Sequence, residues 1–303
     1  MIGIEEYLQD VADDFCAFLE ERHQLCDLKR LHFDQGLFPD YSETHIQQLY
    51  LLRYAYSYAF EYYVIFKRLI SIYSSIHSSI RDRLRISSIG CGNGMDYWAL
   101  VNALEDTGLR NCSVDYRGND IVEWNYRIDP RENDIVNFLQ KDIKEYLDVV
   151  RHFNSDVYIF PKSISEFDDT TFRSILNAFQ FKKIETEEIG LIVSMRSNEE
   201  NLRYDMGRVD GVKWAIVANG FEVVFDTNEE RLACDTYIAR IDGRFIYPDK
   251  ALRQTIPMIN TRCSHYLQFG ENCSDECGPR LTRKPILKTS FIRYRIVIFR
   301  RRL

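Results

Sequence analysis

Three glycines, Gly90, Gly92 and Gly94, stand between the short apolar run "RISSI" and the apolar, helix-like run "MDYWALVNAL". A strand that ends in closely spaced glycines and then opens a helix brings backbone N–H groups and the positive end of a helix dipole together. Glycine serves there because the chain turns sharply and a Cβ would stand in a ligand's way. Such a turn holds a dinucleotide, a phosphate or S-adenosylmethionine. The spacing is G-x-G-x-G, not the G-x-G-x-x-G of dinucleotide folds, and no G-x-x-x-x-G-K-[ST] is present, which excludes a P-loop. A second group is Cys263, His265, Cys273 and Cys277, three thiols and an imidazole within fifteen residues. Their types match a Cys₃His zinc complement. The spacing C-x-H-x₇-C-x₃-C departs from the paired C-x₂-C of zinc ribbons, so ordinary reduced cysteines are the alternative.

The elements that must position these residues follow from the pattern around them. From Leu84 onward strands and helices alternate, which predicts a parallel α/β sheet. The strands read as "RISSIG", "VDYRGN", "VNFLQKD", "DVYIFP", "GLIVSM", "FEVVFD" and "FIRYRIVIF". Helices are expected over "MDYWALVNALEDTG", "TTFRSILNAFQ" and "RVDGVKWAIVANG". Residues 1–80 read as an N-terminal helical cap. Glu5 to Leu25 has apolar positions at helical spacing, and Ser42 or Thr44 is placed to cap a long tyrosine-rich helix ending near Ile76. Those tyrosines read as core packing, with a substrate mouth as the alternative. Residues 81–303 form the second domain, and within it 227–289 is an insert between the sixth and seventh strands that carries the Cys/His cluster.

The segment "SIGCGNGMDYWAL" resembles motif I of the class I S-adenosylmethionine-dependent methyltransferases, and later landmarks follow in that family's order from Leu84 to Phe225 and in the last strand. The resemblance implies a Rossmann-like, seven-stranded methyltransferase sheet with its last strand antiparallel. It implies S-adenosylmethionine as cofactor and methyl transfer as the activity. By position in the motifs, Asp120 would grip the ribose hydroxyls, Asp142 would contact the adenine amino group, and Phe160 in "SDVYIFPKSISEF" would lie beside the methyl donor. Ser88, Gly90, Gly92 and Gly94 complete the turn. Asp96 falls either near the ammonium of the donor's tail or in the role of a first-turn acid that favours the helix dipole.

Two departures stand out. Ser88 occupies the place of the acid that opens motif I, and Pro161 stands where enzymes that methylate base amines carry a polar residue. Methyl transfer from a sulfonium needs alignment, and an oxygen or thiol acceptor also needs to lose a proton. Lys162, Ser163 and Glu166 are the nearest candidates, with Lys162 and Glu166 as catalytic residues. A lysine in a dry pocket can act as a base. Alternatively Lys162 faces solvent and Glu166 starts a helix, while Ser163 or Ser165 caps it. The other classes left open are a donor-binding scaffold without chemistry and a nicotinamide-dependent oxidoreductase, the latter opposed by the glycine spacing.

Composition bounds the rest. The chain has 303 residues, 45% hydrophobic and 28% charged, with net charge −7 and pI near 5.5. No overall basic field marks a nucleic-acid binder. Yet Gly278 to Leu303 holds nine Lys or Arg and no acid, which reads either as a basic face for RNA or another anionic partner, or as the solvated face of an edge strand. The acidic start lacks the order of a signal peptide, and the most apolar segment is interrupted by Arg53, Glu61, Lys67 and Arg68, so neither export nor a membrane span is expected. Eight cysteines without a secretory context predict reduced thiols in the cytoplasm. The methyl acceptor is unassigned, either a small molecule or RNA.

Overall fold

The computed structural model describes residues 3–21, 40–76, 82–196, 199–228, 230–255 and 285–302. The chain divides into two compact units, one of residues 1–60, 124–127 and 236–289, the other of 61–123, 128–235 and 290–303. Among the described residues no helix is long and apolar enough to cross a membrane.

In the first unit, helix α1 (Ile4–Glu20) buries Ile4, Tyr7, Leu8, Val11, Ala12, Phe15 and Leu19, the three-and-four spacing of a single apolar face. Helix α2 (Thr44–Ser75) begins here and continues into the second unit. Its expected all-round burial is observed, and tyrosines supply both volume and hydrogen bonds. Tyr56 donates to the Phe245 carbonyl at 2.7 Å, and Tyr247 donates to that of Leu52 at 2.9 Å.

The second unit is built on one mixed sheet. Its strands are β1 (Arg83–Ile89), β2 (Ser113–Asp120), β3 (Ile135–Gln140), β5 (Val157–Pro161), β7 (Glu188–Ser194), β8 (Phe221–Asp226), β9 (Glu230–Tyr237) and β10 (Lys288–Arg301). A separate two-stranded pair joins β4 (His152–Phe153) and β6 (Lys183–Ile184). The order across the main sheet is β3-β2-β1-β5-β7-β10-β8, with β9 pairing β10 off this path. From β3 to β7 all neighbours are parallel, whereas β10 runs antiparallel to both β7 and β8. Central strands β5 and β7 are near-continuous apolar runs because both of their faces are covered. Helices α3 (Met95–Asp106), α4 (Ile143–Val149), α5 (Asp169–Phe181) and α6 (Glu199–Ala218) flank the sheet. This is the Rossmann-like methyltransferase sheet with an antiparallel last strand, an N-terminal helical region and an insert before that strand.

Three details differ from the sequence pattern. Helix α6 begins at Glu199, well before Arg208, because the polar stretch "EENLRYDM" carries no apolar period to announce it. Strand β9 lies inside the expected insert. Strand β10 lies between β7 and β8 and is not an edge strand: Arg293 and Arg295 are buried, whereas Arg300 keeps an exposed side chain. Arg295 meets Asp226 at 2.8 Å and Asp210 at 2.7 Å, Arg300 meets Glu188 at 2.9 Å, and Arg301 meets Glu187 at 3.5 Å. Acids from β7, β8 and α6 therefore balance much of the described basic charge. Arg280, Arg283 and Lys284 lie outside the described residues.

Candidate functional site

The glycine turn follows β1, where the chain passes from the sheet's carboxyl edge into α3. Strand β1 has β2 on one side and β5 on the other, so the turn sits at the switch point where open α/β sheets bind ligands. Gly90, Gly92 and Gly94 have φ values of +72°, +55° and +88°. At Gly90 a Cβ would come within 2.4 Å of the Ser163 Cβ, and at Gly94, which caps α3, one would meet the Phe138 ring at 2.6 Å. Both positions thus need glycine for conformation and for space.

Hydrogen bonds from the end of β2 hold the turn. The N–H groups of Gly90 and Cys91 donate to the Asn119 carbonyl, and the Gly92 N–H donates to Asp120 Oδ2 at 2.8 Å. Asp120 Oδ1 accepts from Val122 N at 2.9 Å. Both oxygens of Asp120 thus tie the end of β2 to the turn and to its own following residues. Directly after Asp120, Ile121 is 67% exposed and offers an apolar surface beside the carboxylate. Sequence reasoning passed over Ile121, since nothing in a sequence marks an apolar side chain that stays in solvent.

Ser88 and Asp96 lie beneath the turn, each 1% exposed. Tyr116 donates to Asp96 Oδ1 at 2.8 Å, while Asp96 Oδ2 and Ser88 Oγ complete no well-formed hydrogen bond among the described residues. Burial pushes the Asp96 carboxyl up to about 6, against the pull of the nearby Ser88 and Tyr116 hydroxyls. Asp142 caps α4, its Oδ1 accepting from Lys144 N at 2.8 Å. Phe160 is fully buried in β5 and meets Phe167 edge to face with ring centres 6.4 Å apart.

The segment after β5 brings the two candidate catalytic residues beside the turn. Lys162 has φ +61°, unusual for a side-chain-bearing residue and a strain of about 1–3 kcal/mol. Its Nζ meets Glu61 of α2 at 2.7 Å and donates to the Met195 carbonyl at 3.2 Å. Ser194 Oγ donates to the same Glu61 carboxylate at 2.7 Å. Ser163 is buried below Gly90 and donates to the Ile89 carbonyl. Glu166 pairs with Arg196, whose N–H also donates to the buried Asp205 at 3.3 Å. Desolvation pushes Glu166 up to about 7, with Asp120 and Asp205 adding to the rise and Arg196 opposing it. Its side chain still keeps 42% of its accessible surface, so this carboxyl stands in an open recess and not in the core.

Glu61, Ser194, Arg196 and Asp205 were not found from the sequence. Glu61 had a signal: one acid in a helix that is apolar all round needs a partner when buried. Ser194 ends β7, Arg196 follows it and Asp205 lies in α6, and only the sheet order brings them to β5. Cys263, His265, Cys273 and Cys277 lie outside the described residues. Among the described residues no group of three or more His, Cys, Asp or Glu side chains is arranged to hold a metal. Among the described residues Cys16, Cys91 and Cys112 take part in no disulfide.

No protein-family model matches the sequence, and no curated protein matches it. Among solved structures, the chain is similar to the plantazolicin methyltransferase BpumL in complex with SAH, at 12% identity over 82% of this chain and 85% of that one, with a TM-score of 0.40. It is similar to YcgJ from Bacillus subtilis at 13% identity, over 75% and 96% of the two chains, with a TM-score of 0.35. It is also similar to a SAM-dependent methyltransferase from Archaeoglobus fulgidus at 14% identity, over 79% and 94%, with a TM-score of 0.37. These scores are too low to carry an inference, and the functional reading rests on this chain's own strand order and glycine turn.

Proposed function

We propose that this protein is an S-adenosylmethionine-dependent methyltransferase acting on an acceptor that must give up a proton. The observation that carries the reading is the glycine turn closed by Asp120 at the switch point of a methyltransferase-type sheet. The residues present fit the donor. A carboxylate at the end of β2 that holds the glycine turn, with an exposed apolar side chain directly after it, suits a ribose and a flat base. Around the recess Glu61, Asp120, Glu166 and Asp205 outnumber Lys162 and Arg196, a balance that favours a cationic ligand over a pyrophosphate.

When bound, S-adenosylmethionine supplies an electrophilic methyl group on a cationic sulfur. Asp120 accepts the ribose hydroxyls while keeping the Gly92 N–H in place. Asp142 is assigned to the adenine end, Ser88 and Asp96 to the floor under the donor's tail, and Phe160 to the apolar backing of β5. Glu166, poised near neutrality in a recess open to solvent, takes the acceptor's proton. Lys162, engaged by Glu61 and the Met195 carbonyl, acts as a fixed cation that holds the segment after β5.

A donor-binding scaffold without turnover is the second reading, favoured by the buried serine at position 88 where an acid would serve the donor. Calorimetric titration with S-adenosylmethionine and separately with NAD tests the site. Donor binding that disappears in Asp120→Ala supports the proposal, and NAD binding in its place refutes it. Formation of S-adenosylhomocysteine with small-molecule and RNA acceptors then separates enzyme from scaffold.

A further inference from the structure

Arg208 projects from α6 and is 4% exposed, yet no step of the proposed chemistry uses it. Its Nη1 donates to the Ile164 carbonyl at 2.8 Å and to the Phe167 carbonyl at 2.6 Å, and its Nη2 donates to Asp169 at 2.9 Å. The guanidinium also lies over the Phe172 ring at 4.5 Å and the Tyr204 ring at 4.3 Å, with the Tyr204 hydroxyl as a further partner. Every one of its hydrogen-bond acceptors in the chain segment from 164 to 169 brackets Glu166. That stretch runs from the residue after Ser163, which supports Gly90, to the first residue of α5.

We infer that Arg208 is a positioning residue for the candidate site: its guanidinium fork fastens the backbone of residues 164–169 so that Glu166 is held in the recess facing Arg196, Asp205 and Asp120. The geometry is specific to arginine. Two carbonyls, a carboxylate and two aromatic faces are served by one planar group, which a lysine's single ammonium cannot reproduce. A loop without this clamp would satisfy its carbonyls with water and let Glu166 swing into solvent. The inference builds on the functional reading above but is tested apart from it.

The experiment is a carboxyl titration of Glu166 by ¹³C NMR in the full chain, compared with Arg208→Lys and with Asp169→Ala. Asp169 is 81% exposed, so its loss removes one anchor of the clamp without opening the core. The expected result is a wild-type midpoint near 7 that falls by about one unit or more toward the ordinary carboxylate range in Arg208→Lys. A smaller fall in the same direction is expected in Asp169→Ala. An unchanged midpoint in a folded Arg208→Lys overturns the inference. Should Arg208→Lys fail to fold, an unchanged midpoint in Asp169→Ala overturns it. None of these readings needs a bound donor, so failure of S-adenosylmethionine to bind refutes the function and leaves the clamp to be judged by the titration. Where the donor does bind, a folded Arg208→Lys shows a displaced pH profile of binding, which a purely structural role would not move.

Discussion

Asp120 Oδ2 accepts the Gly92 N–H at 2.8 Å, tying the carboxyl end of β2 to the glycine turn that follows β1. One side chain therefore shapes the turn and, in the function proposed above, also accepts the donor's ribose hydroxyls. Charged acceptors bonded to N–H groups contribute about 1.5–3 kcal/mol each. Asp120→Ala is expected to lower affinity for S-adenosylmethionine by at least tenfold and to destabilise the fold, both read by calorimetry. Asp120→Asn should keep more of the stability than of the affinity, since it retains an acceptor oxygen for one N–H while losing the charge.

At Gly90 the sterics are more severe. A methyl group there would overlap the Ser163 Cβ at 2.4 Å on a backbone already at φ +72°. Gly90→Ala is expected to cost roughly 2–5 kcal/mol from backbone strain and overpacking together. Urea unfolding checks this, and a loss below about 1 kcal/mol would mean that the segment after β5 yields freely.

The Lys162–Glu61 pair spans 2.7 Å with side chains 15% and 11% exposed. Removing one partner of such a pair leaves a poorly solvated charge, at a cost of about 3–5 kcal/mol. Glu61→Gln should show that loss in denaturant unfolding. The double variant Glu61→Gln with Lys162→Met should recover part of it, because no charge is then left without its counter-ion.

Asp96 makes stability depend on pH. Its carboxyl is raised by burial from 3.8 to about 6, so between those values the folded chain binds more protons than the unfolded one. Its contribution to stability therefore falls as pH rises through this window and is fully unfavourable above it. Asp96→Asn removes the dependence and can still accept the Tyr116 hydroxyl. The stability difference between variant and wild type should shift in the variant's favour by roughly 2–3 kcal/mol from below to above the window. Urea unfolding over a pH series measures it, and a flat difference would show that Asp96 is better solvated than its burial implies.

The places of the main strands along the chain and the glycine turn were legible because they are local. Apolar runs such as "DVYIFP" and "GLIVSM" declare strands covered on both faces, and Gly90, Gly92 and Gly94 announce a turn that a Cβ would obstruct. Helix α6 was only half legible, because its first turns present charged residues with no apolar period. The arginines of β10 alternate as they would on an exposed strand. Their pairing with Asp210, Asp226 and Glu188 could not be read from that alternation, since the partners lie far away in sequence.

By itself, the sequence determined a parallel α/β sheet, a glycine turn after its first strand, and the candidate residues Asp120, Asp142, Lys162 and Glu166. The sheet and the turn follow from short-range periodicity and from the conformations that glycine alone tolerates, whereas the four residues follow from the resemblance to the methyltransferase motifs. Only the tertiary structure decided which charges meet: Glu61 with Lys162, Arg196 with Glu166, and Arg208 with the backbone that carries Glu166. Those partners come from α2, the segment just after β7, and α6. Charge pairing and desolvation depend on distance in space, and the crossing of strands in the sheet sets that distance independently of spacing along the chain.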